Sequence, residues 1–354
     1  MTLPLLNVWD YEAAAAEALE AGAHGYYAGG AGDELTLREN VDAYRRWQLR
    51  PRALVDVSGC TTSTTVLGQA LSMPLIVAPV AFQRVAHPDG EVGMARAAAA
   101  VGTGMCLSTL STSTPAEVAA TGVTRFFQLY VFTDLGLTRE LVAQAVEHGF
   151  SALVLTVDTP VLGRRERDHR TGFTIPPDIA VAAFGHGGVT PQTAFASMSE
   201  SVSWRDIEQL ASMSGLPVVV KGVLTAEDAH LACEHGAAGL VVSNHGGRQL
   251  DGVAATIDAL PEVVDAVDGR IEVLVDGGIR RGADVVRALA LGARAVLAGR
   301  APLWGLSVGG EEGARHVLEL LRDEILLALK LVGCVGPGDV RREHVQRARH
   351  DVPN

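Results

Sequence analysis

GLVVSNHGGRQLD, residues 239–251, joins a short apolar run to a polar, glycine-rich turn. The run Gly239–Val242 is typical of a buried strand, and a strand that ends in Ser, Asn, His and two glycines is not ordinary core. The turn brings the imidazole of His245 and the guanidinium of Arg248 to the C-terminal end of that strand. A base beside a fixed positive charge suits the removal of a proton from an anionic substrate.

Seven further apolar runs resemble this strand, and Ala-, Leu- and Glu-rich amphipathic stretches separate them. The eight predicted strands are Leu75–Val80, Met105–Leu110, Arg125–Val131, Ala152–Asp158, Pro217–Val223, Gly239–Asn244, Glu272–Gly278 and Ala295–Arg300. Strands that alternate with helices form a parallel sheet, and continuous apolar runs are typical of strands buried on both faces. Eight such units predict an α/β fold, the (β/α)₈ TIM barrel. An open doubly wound sheet is the alternative, but the early Gly-rich turn typical of it is missing.

The composition limits the possible functions. The chain has 354 residues, of which 48% are apolar and 20% are charged, and its net charge of -12 without a basic run argues against nucleic-acid binding. The four scattered cysteines indicate a reducing compartment and neither a disulfide framework nor a metal site. We find no signal-peptide pattern and no apolar segment of about 18 residues, so we expect a cytoplasmic protein without membrane insertion.

We expect one domain over residues 1–354, with a helical N-terminal segment over 1–74 and the barrel over 75–335. A helix is predicted over about residues 10–24, with Asp10 as its cap and the loop Tyr26–Gly32 after it. The long interval after the fourth strand is rich in Pro and Gly, and its residues 173–203 are predicted to form a mobile lid. A plain disordered surface loop is the alternative for this lid. The last barrel helix is predicted over about residues 313–331.

Polar residues stand at the C-terminal ends of seven consecutive predicted strands, from the second to the eighth, where the strands of a barrel converge on one site. Three groups can be distinguished by their chemistry. A phosphate pocket is expected from Gly277, Gly278, Arg280, Gly299 and Arg300, and Asp276 before them is a further candidate for cofactor binding. The polar edge of a flat heterocycle such as an isoalloxazine would be met by Ser108, Gln128, Thr156, Lys221 and Ser243, and Pro79, Val80 and Ala81 end the first strand at the same site. The reacting molecule would face Tyr26, Tyr130, Arg165, His245 and Arg248, and two arginines suggest a bound carboxylate.

Ordered motifs over nearly the whole chain carry a family resemblance. Besides residues 243–251 they are YYAGG at 26–30, FQLY at 127–130, LTVDTP at 155–160, GRRE at 163–166, VKGV at 220–223 and DGGIRRG at 276–282. The sequence resembles the FMN-dependent α-hydroxy-acid oxidases and dehydrogenases. The resemblance implies FMN as cofactor, a small 2-hydroxy acid as substrate, O₂ or another electron acceptor, and a homotetramer.

The resemblance also implies a role for each residue of the reacting group. His245 would be the base, and Asp158 would orient it and stabilise its charged form. Arg165 and Arg248 would bind the substrate carboxylate with help from Tyr26, and Tyr130 would hydrogen-bond the substrate oxygen. The α-hydrogen would pass to the flavin as hydride, and removal of an α-proton to give a carbanion is the competing account.

The substrate and the electron acceptor are predicted from departures within this family. Leu110 stands where glycolate oxidases carry an aromatic residue, and Phe132 stands where a tyrosine is often found. Smaller, apolar walls favour lactate or a larger aliphatic or aryl hydroxy acid over glycolate. A soluble oxidase is favoured because the segment 173–203 carries few cations for a membrane anchor. A quinone- or carrier-linked dehydrogenase is the alternative, whereas a flavocytochrome is not expected.

Two readings of a different kind stay open from the residues. Lys221 at a strand end could be the nucleophile of a Schiff-base aldolase on the same barrel. The same residues could also form a flavin or phosphate site without catalysis. Because His245 and Arg248 have no evident task in either reading, both are disfavoured.

Overall fold

The computed structural model describes residues 4–177, 179–184 and 190–348. Its first elements are the helices α1 (Val8–Ala18), α2 (Ala21–Ala28) and α3 (Leu35–Asp42) and the strands β1 (Trp47–Leu49), β2 (Thr64–Val66) and β3 (Gln69–Leu71). The eight strands that follow are β4 (Leu75–Val77), β5 (Gly104–Leu107), β6 (Thr124–Leu129), β7 (Leu153–Thr156), β8 (Val218–Val223), β9 (Gly239–Val242), β10 (Glu272–Asp276) and β11 (Ala295–Ala298). They pair in parallel and in chain order, and β11 pairs with β4 to close the barrel. The predicted (β/α)₈ fold is therefore confirmed, with strands somewhat shorter than expected.

Helices join consecutive strands and cover the outside of the barrel. They are α4 (Gly90–Val101), α5 (Pro115–Ala119), α6 (Leu135–Glu147), α7 (Glu166–Thr171), α8 (Pro191–Ala196), α9 (Arg205–Ser214), α10 (Ala226–Glu234), α11 (Thr256–Val267), α12 (Gly282–Ala290) and α13 (Arg300–Val332), and a last strand β12 (Val345–Arg347) follows. Local sequence fixes several helix ends. Thr114 caps α5 in a capping box with Glu117, and the side chain of Thr225 accepts a hydrogen bond from Asp228 in α10.

The N-terminal end of the barrel is covered by the hairpin β2–β3. Val66 and Leu71 of the hairpin belong to the apolar cluster that fills the barrel interior together with inward-facing strand residues such as Phe126. The backbone N–H of Leu67 donates to Oε2 of Glu272, the first residue of β10, at 2.9 Å. The opposite end, where the strands finish, is therefore the end available for a site.

The N-terminal segment differs in detail from the prediction. The single expected helix is two helices, α1 and α2, and the residue that caps α1 is Asn7, not Asp10. The side chain of Asn7 accepts from the N–H groups of Trp9 and Asp10, because a cap must precede the first turn to reach its free donors. Tyr26 lies inside α2 and not in the loop after it. The segment 1–74 also contains three short strands, of which β1 pairs with β12.

The predicted lid lies partly outside the described residues, which omit 178 and 185–189. Its described part contains the short helix α8. The predicted last helix corresponds to the second half of α13, which begins at Arg300 and is interrupted at Gly309 and Gly310 by non-helical backbone. Among the described residues no helix is long and apolar enough to cross a membrane.

Candidate active site

One pocket lies at the C-terminal ends of the barrel strands and gathers most of the predicted site residues. Those that line it are Tyr26, Pro79, Val80, Ala81, Ser108, Leu110, Gln128, Tyr130, Thr156, Arg165, Lys221, His245, Arg248, Asp276, Gly277, Gly278, Arg280, Gly299 and Arg300. Of the predicted catalytic and cofactor-binding residues, two do not line it, and both lie directly behind it. Asp158 contacts the His245 side chain, and Ser243 contacts the Lys221 side chain.

His245 and Asp158 form a hydrogen-bonded pair. Nδ1 of His245 lies 2.8 Å from Oδ1 of Asp158, and Oγ1 of Thr159 donates to the same carboxylate oxygen at 2.9 Å. His245 comes from the turn after β9 and Asp158 from the turn after β7, so the barrel brings together residues that are far apart in the chain. With Nδ1 directed at the carboxylate, Nε2 is the nitrogen left to act on a ligand.

The electrostatics of the pair favour a neutral imidazole beside an ionised carboxylate. Burial alone would raise the pKa of Asp158, but its interaction with His245, the charge of Lys221 and hydrogen bonds from His245 and Thr159 lower it to about 2. Burial lowers the pKa of His245, and the Lys221 charge acts in the same direction against the attraction of Asp158. A neutral imidazole held by a carboxylate is suited to accept a proton.

Two guanidinium groups and a phenol stand beside this base. Arg248 donates to the backbone carbonyls of Tyr26 (2.6 Å) and Gly29 (3.0 Å), and its guanidinium lies 5.1 Å from the centre of the Tyr26 ring. Burial and the neighbouring Arg165 charge lower the pKa of Arg248 to about 10, which leaves it charged at neutral pH. Nε of Arg165 is buried without a hydrogen-bond partner among the described residues. Two adjacent cations with unused donors are suited to bind a carboxylate.

Tyr130 remains protonated in this setting. Burial and the Asp158 charge raise its pKa to about 12. Its phenol can therefore donate a hydrogen bond to an oxygen of a bound ligand.

Lys221 is held between Ser243 and Asp276. Its Nζ donates to Oγ of Ser243 at 2.9 Å and lies 3.2 Å from Oδ2 of Asp276. Burial alone would lower the pKa of Lys221, but the carboxylates of Asp276 and Asp158 raise it above its ordinary value. A permanently protonated amine is not a nucleophile, so this geometry argues against the Schiff-base aldolase.

Several buried polar atoms that face the pocket have no partner among the described residues. They are Nε2 of Gln128, Oγ1 of Thr156 and Oδ1 of Asp276. Oε1 of Gln128 is already used, since it accepts from Oγ of Ser108 and the N–H of Thr109. A buried donor or acceptor without a hydrogen-bond partner costs free energy. These atoms are therefore expected to bind a ligand that has donors and acceptors along one edge. The pyrimidine side of the FMN ring system has that pattern, and Lys221 adds a cation beside it.

In the phosphate pocket predicted after β10 and β11, both arginines already donate hydrogen bonds within the protein, which was not expected. Arg280 is not free, because its Nε donates to Oε2 of Glu12 in α1 at 3.1 Å. Arg300 donates to the backbone carbonyls of Tyr27 and Gly246, each at 2.9 Å, and of Gly29 at 3.0 Å. Both arginines still bring positive charge to the pocket wall, although their hydrogen bonds also tie the N-terminal segment to the barrel.

The two predicted specificity residues are in different places. Leu110 lines the pocket, as expected. Phe132 is not part of this wall: it is fully buried, pairs with Met198 in an isolated bridge and packs edge-on against Phe184 with ring centres 5.3 Å apart. The expectation for Phe132 was wrong because β6 ends at Leu129, so Phe132 lies beyond the strand, where the alternation of strand side chains no longer directs it toward the pocket.

Other pocket residues were not predicted. Tyr27, Leu162 and Phe195 line the pocket, and Phe195 comes from α8 in the predicted lid. Tyr27 adjoins Tyr26 in the sequence and donates to the carbonyl of Phe82 at 2.6 Å. No local pattern marks Leu162 or Phe195, because each reaches the pocket through the course of the long segment after β7.

Comparison with known proteins gives a consistent result. A family model described as FMN-dependent dehydrogenase matches residues 15–347. The chain is 51% identical over 347 residues to an L-lactate oxidase from Nostoc sp., covering 93% of this chain and 94% of that protein. It is 50% identical over 355 residues to glycolate oxidase 3 from Arabidopsis thaliana, covering 97% and 96%. A crystal structure of mandelate oxidase superposes with a TM-score of 0.92 at 43% identity, covering 98% and 99%.

The family model matches the residues of the barrel, and the pocket at the end of that barrel has unpaired polar atoms that fit a flavin. FMN is therefore the cofactor of this chain, and the unpaired polar atoms of Gln128 and Thr156 and the charge of Lys221 fit the polar edge of its ring system. The chain belongs to the family of FMN-dependent dehydrogenases.

Proposed function

We propose that this protein oxidises an L-2-hydroxy acid to the corresponding 2-oxo acid and passes the electrons to O₂, which gives H₂O₂. The substrate that we propose is lactate or a larger aliphatic or aryl 2-hydroxy acid, rather than glycolate. The observation that carries the proposal is the pairing of a neutral His245, backed by Asp158, with the guanidinium groups of Arg165 and Arg248 in one pocket.

The carboxylate of the substrate is bound first in this scheme. Arg248 is fixed by the carbonyls of Tyr26 and Gly29, so its remaining donors keep a defined direction. The unused Nε of Arg165 supplies a second charged donor. A carboxylate placed between the two would relieve their mutual repulsion, which is visible in the lowered pKa of Arg248.

The proton chemistry follows from the His245–Asp158 pair. His245 removes the hydroxyl proton through Nε2, and the Asp158 carboxylate stabilises the imidazolium that results. Tyr130 donates a hydrogen bond to the substrate oxygen as that oxygen becomes a carbonyl, and keeps its proton. When bound, FMN supplies the two-electron acceptor for the α-hydrogen and its electron pair. In the competing carbanion account, His245 removes the α-proton instead.

The side of the pocket available to the substrate side chain is apolar. Leu110 lies on the wall, and Leu162 and Phe195 approach it from the long segment after β7. Phe195 packs edge-on against Phe82 with ring centres 6.0 Å apart. Aliphatic and aryl groups gain from burial against such a surface, whereas glycolate has no side chain to bury. The relatives act on lactate, glycolate and mandelate according to their names, so the support for a larger substrate is Leu110.

Oxygen is the proposed acceptor because the relatives reported above are named oxidases. We also propose that the protein is cytoplasmic and a homotetramer. Light scattering of the purified protein tests the oligomeric state.

The decisive experiment reduces the FMN-loaded protein anaerobically with glycolate, L-lactate, L-2-hydroxyoctanoate and (S)-mandelate, and then mixes the reduced protein with air in a stopped-flow instrument. We expect lactate or a larger acid to be turned over faster than glycolate, and reoxidation by O₂ to be at least as fast as turnover. Faster turnover of glycolate would overturn the substrate proposal. Slow reoxidation with rapid turnover on a dye acceptor would show a dehydrogenase.

A further inference from the structure

The turn that carries His245 has an unusual backbone. Three consecutive residues, His245, Gly246 and Gly247, have φ values of 56°, 62° and 75°. Glycine adopts such values freely, but for histidine the left-handed region costs roughly 1 kcal/mol or more. Because the conformation also sets the direction of the imidazole, surrounding contacts must hold it in place.

An amide pair lies directly beneath this turn. Nδ2 of Asn40 donates to Oδ1 of Asn244, and Nδ2 of Asn244 donates to Oδ1 of Asn40, both at 2.8 Å. Asn244 precedes His245 in the chain, whereas Asn40 belongs to α3. Both side chains are buried, with 2% and 4% of their surface exposed. Reciprocal bonds between two amides fix both the distance and the orientation of the groups, which a single bond cannot do.

The two side-chain amides also form hydrogen bonds to the backbone of the turn and of the segment that follows it. Oδ1 of Asn244 also accepts from the N–H of Gly247 at 3.1 Å, and Nδ2 of Asn244 donates to the carbonyl of Ala254 at 3.1 Å. Oδ1 of Asn40 accepts from the N–H of Thr256 at 3.3 Å. The left-handed stretch is thus closed by Asn244, and Asn244 is in turn held by Asn40.

The same asparagine lies against the neighbouring turn of the pocket. A Cβ atom on Gly278 would stand 1.8 Å from the backbone oxygen of Asn40, so α3 packs directly on the glycines after β10. Asn40 is therefore placed where the turn of the base and the turn of the cofactor pocket meet.

From this geometry we propose that Asn40 is a positioning residue for His245, acting through Asn244. The inference rests on the proposed function, in which His245 is the base. Asn40 itself touches no reacting atom. Its loss would remove two of the four hydrogen bonds of the Asn244 side chain, would loosen the turn and would misdirect the imidazole, and a displacement of about 1 Å at a reacting group can reduce a rate about 10²-fold.

The test compares FMN-loaded wild type with Asn40→Leu, which has similar volume and no hydrogen-bonding atoms. We expect its rate of anaerobic flavin reduction by L-lactate or (S)-mandelate to fall about tenfold or more, while the substrate dissociation constant changes less than about threefold. The matched control is Thr36→Val on the same helix. Thr36 is equally buried and accepts from the N–H of Gly252, but its side chain makes no hydrogen bond to Asn40 or Asn244. The control should lose some thermal stability and keep its reduction rate.

A second variant covers the case in which Asn40→Leu does not fold. Asn40→Asp keeps the shape and the acceptors, but when ionised it cannot donate to Asn244. A protonated aspartic acid restores the donor, so the ratio of its reduction rate to that of wild type should rise as the pH falls. Reduction rates within twofold of wild type in every folded variant would overturn the proposal, and so would loss of FMN without loss of rate in the loaded fraction. If wild type itself is reduced by no 2-hydroxy acid, the proposed function fails instead.

Discussion

Replacing His245 by Gln tests the centre of the proposed chemistry. The glutamine amide can still donate to Asp158, which His245 now contacts at 2.8 Å, but it has no nitrogen that accepts a proton at neutral pH. The change therefore removes the base and keeps the polar contact. Gln128 and Lys221, two of the side chains proposed to hold the flavin edge, come from other strands, β6 and β8.

The expected loss can be estimated from the role. A positioned general base contributes roughly 10²–10⁴-fold, which corresponds to about 3–5.5 kcal/mol of activation free energy. The burial that lowers the pKa of His245 keeps the wild-type base neutral at pH 7, so the full contribution is present there. We expect the rate of flavin reduction by the best 2-hydroxy acid to fall by that factor, while the protein remains yellow.

The assay is anaerobic stopped-flow reduction, followed at the flavin absorbance band, with FMN content measured for each variant. His235→Gln is the matched control, because His235 forms the same kind of pair with Glu208, also at 2.8 Å, on the outside of the barrel. That control should reduce at the wild-type rate. A loss smaller than tenfold in His245→Gln would refute the assignment of the base, and loss of FMN would mean that His245 belongs to the cofactor site.

Four further outcomes follow from the same geometry. Asp158→Asn removes the carboxylate that holds the imidazole, and reduction should slow by on the order of 10²-fold or more with FMN retained. Lys221→Met leaves a buried carboxylate without its cation, so equilibrium dialysis should show weaker FMN binding and the melting temperature should fall. Leu110→Trp narrows the apolar wall, and the ratio of kcat/KM for glycolate to that for mandelate should rise about tenfold or more. Because the pKa of His245 lies below its ordinary value and the base must be neutral, kcat/KM measured against pH should be level near pH 7 and fall only as the pH drops through that lowered pKa.

Local sequence was sufficient for the barrel and for most of the pocket. Each strand is a continuous apolar run, and such a run can be predicted as a strand from its own residues alone. Once eight of them are assigned to one parallel barrel, the residue that follows each strand must lie at the same end. His245, Lys221 and Gln128 could therefore be assigned to one site although up to 117 residues separate them, from 128 to 245.

Contacts that depend on how the N-terminal segment packs on the barrel could not be predicted from the sequence pattern. Nothing near Arg280 indicates that Glu12 pairs with it, and nothing near Asn244 indicates that Asn40 lies beneath it. Phe132 was assigned to the substrate wall from the family resemblance, but the structure buries it elsewhere. The sequence around a polar or aromatic residue is the same whichever distant residue it contacts in the fold, so it does not reveal that contact.

The sequence by itself thus determined the fold and the cofactor class and predicted the residues proposed to carry the chemistry, because these depend on strand periodicity and on motifs at strand ends. Only the tertiary structure decided how the site is held. The left-handed backbone at His245 is held by the hydrogen-bonded pair of Asn244 and Asn40, of which Asn40 belongs to α3. Arg300 links α2 to the turn after β9. These features join segments about 200 residues or more apart in the chain, and the free energy that selects them comes from burial and hydrogen bonding in the folded barrel.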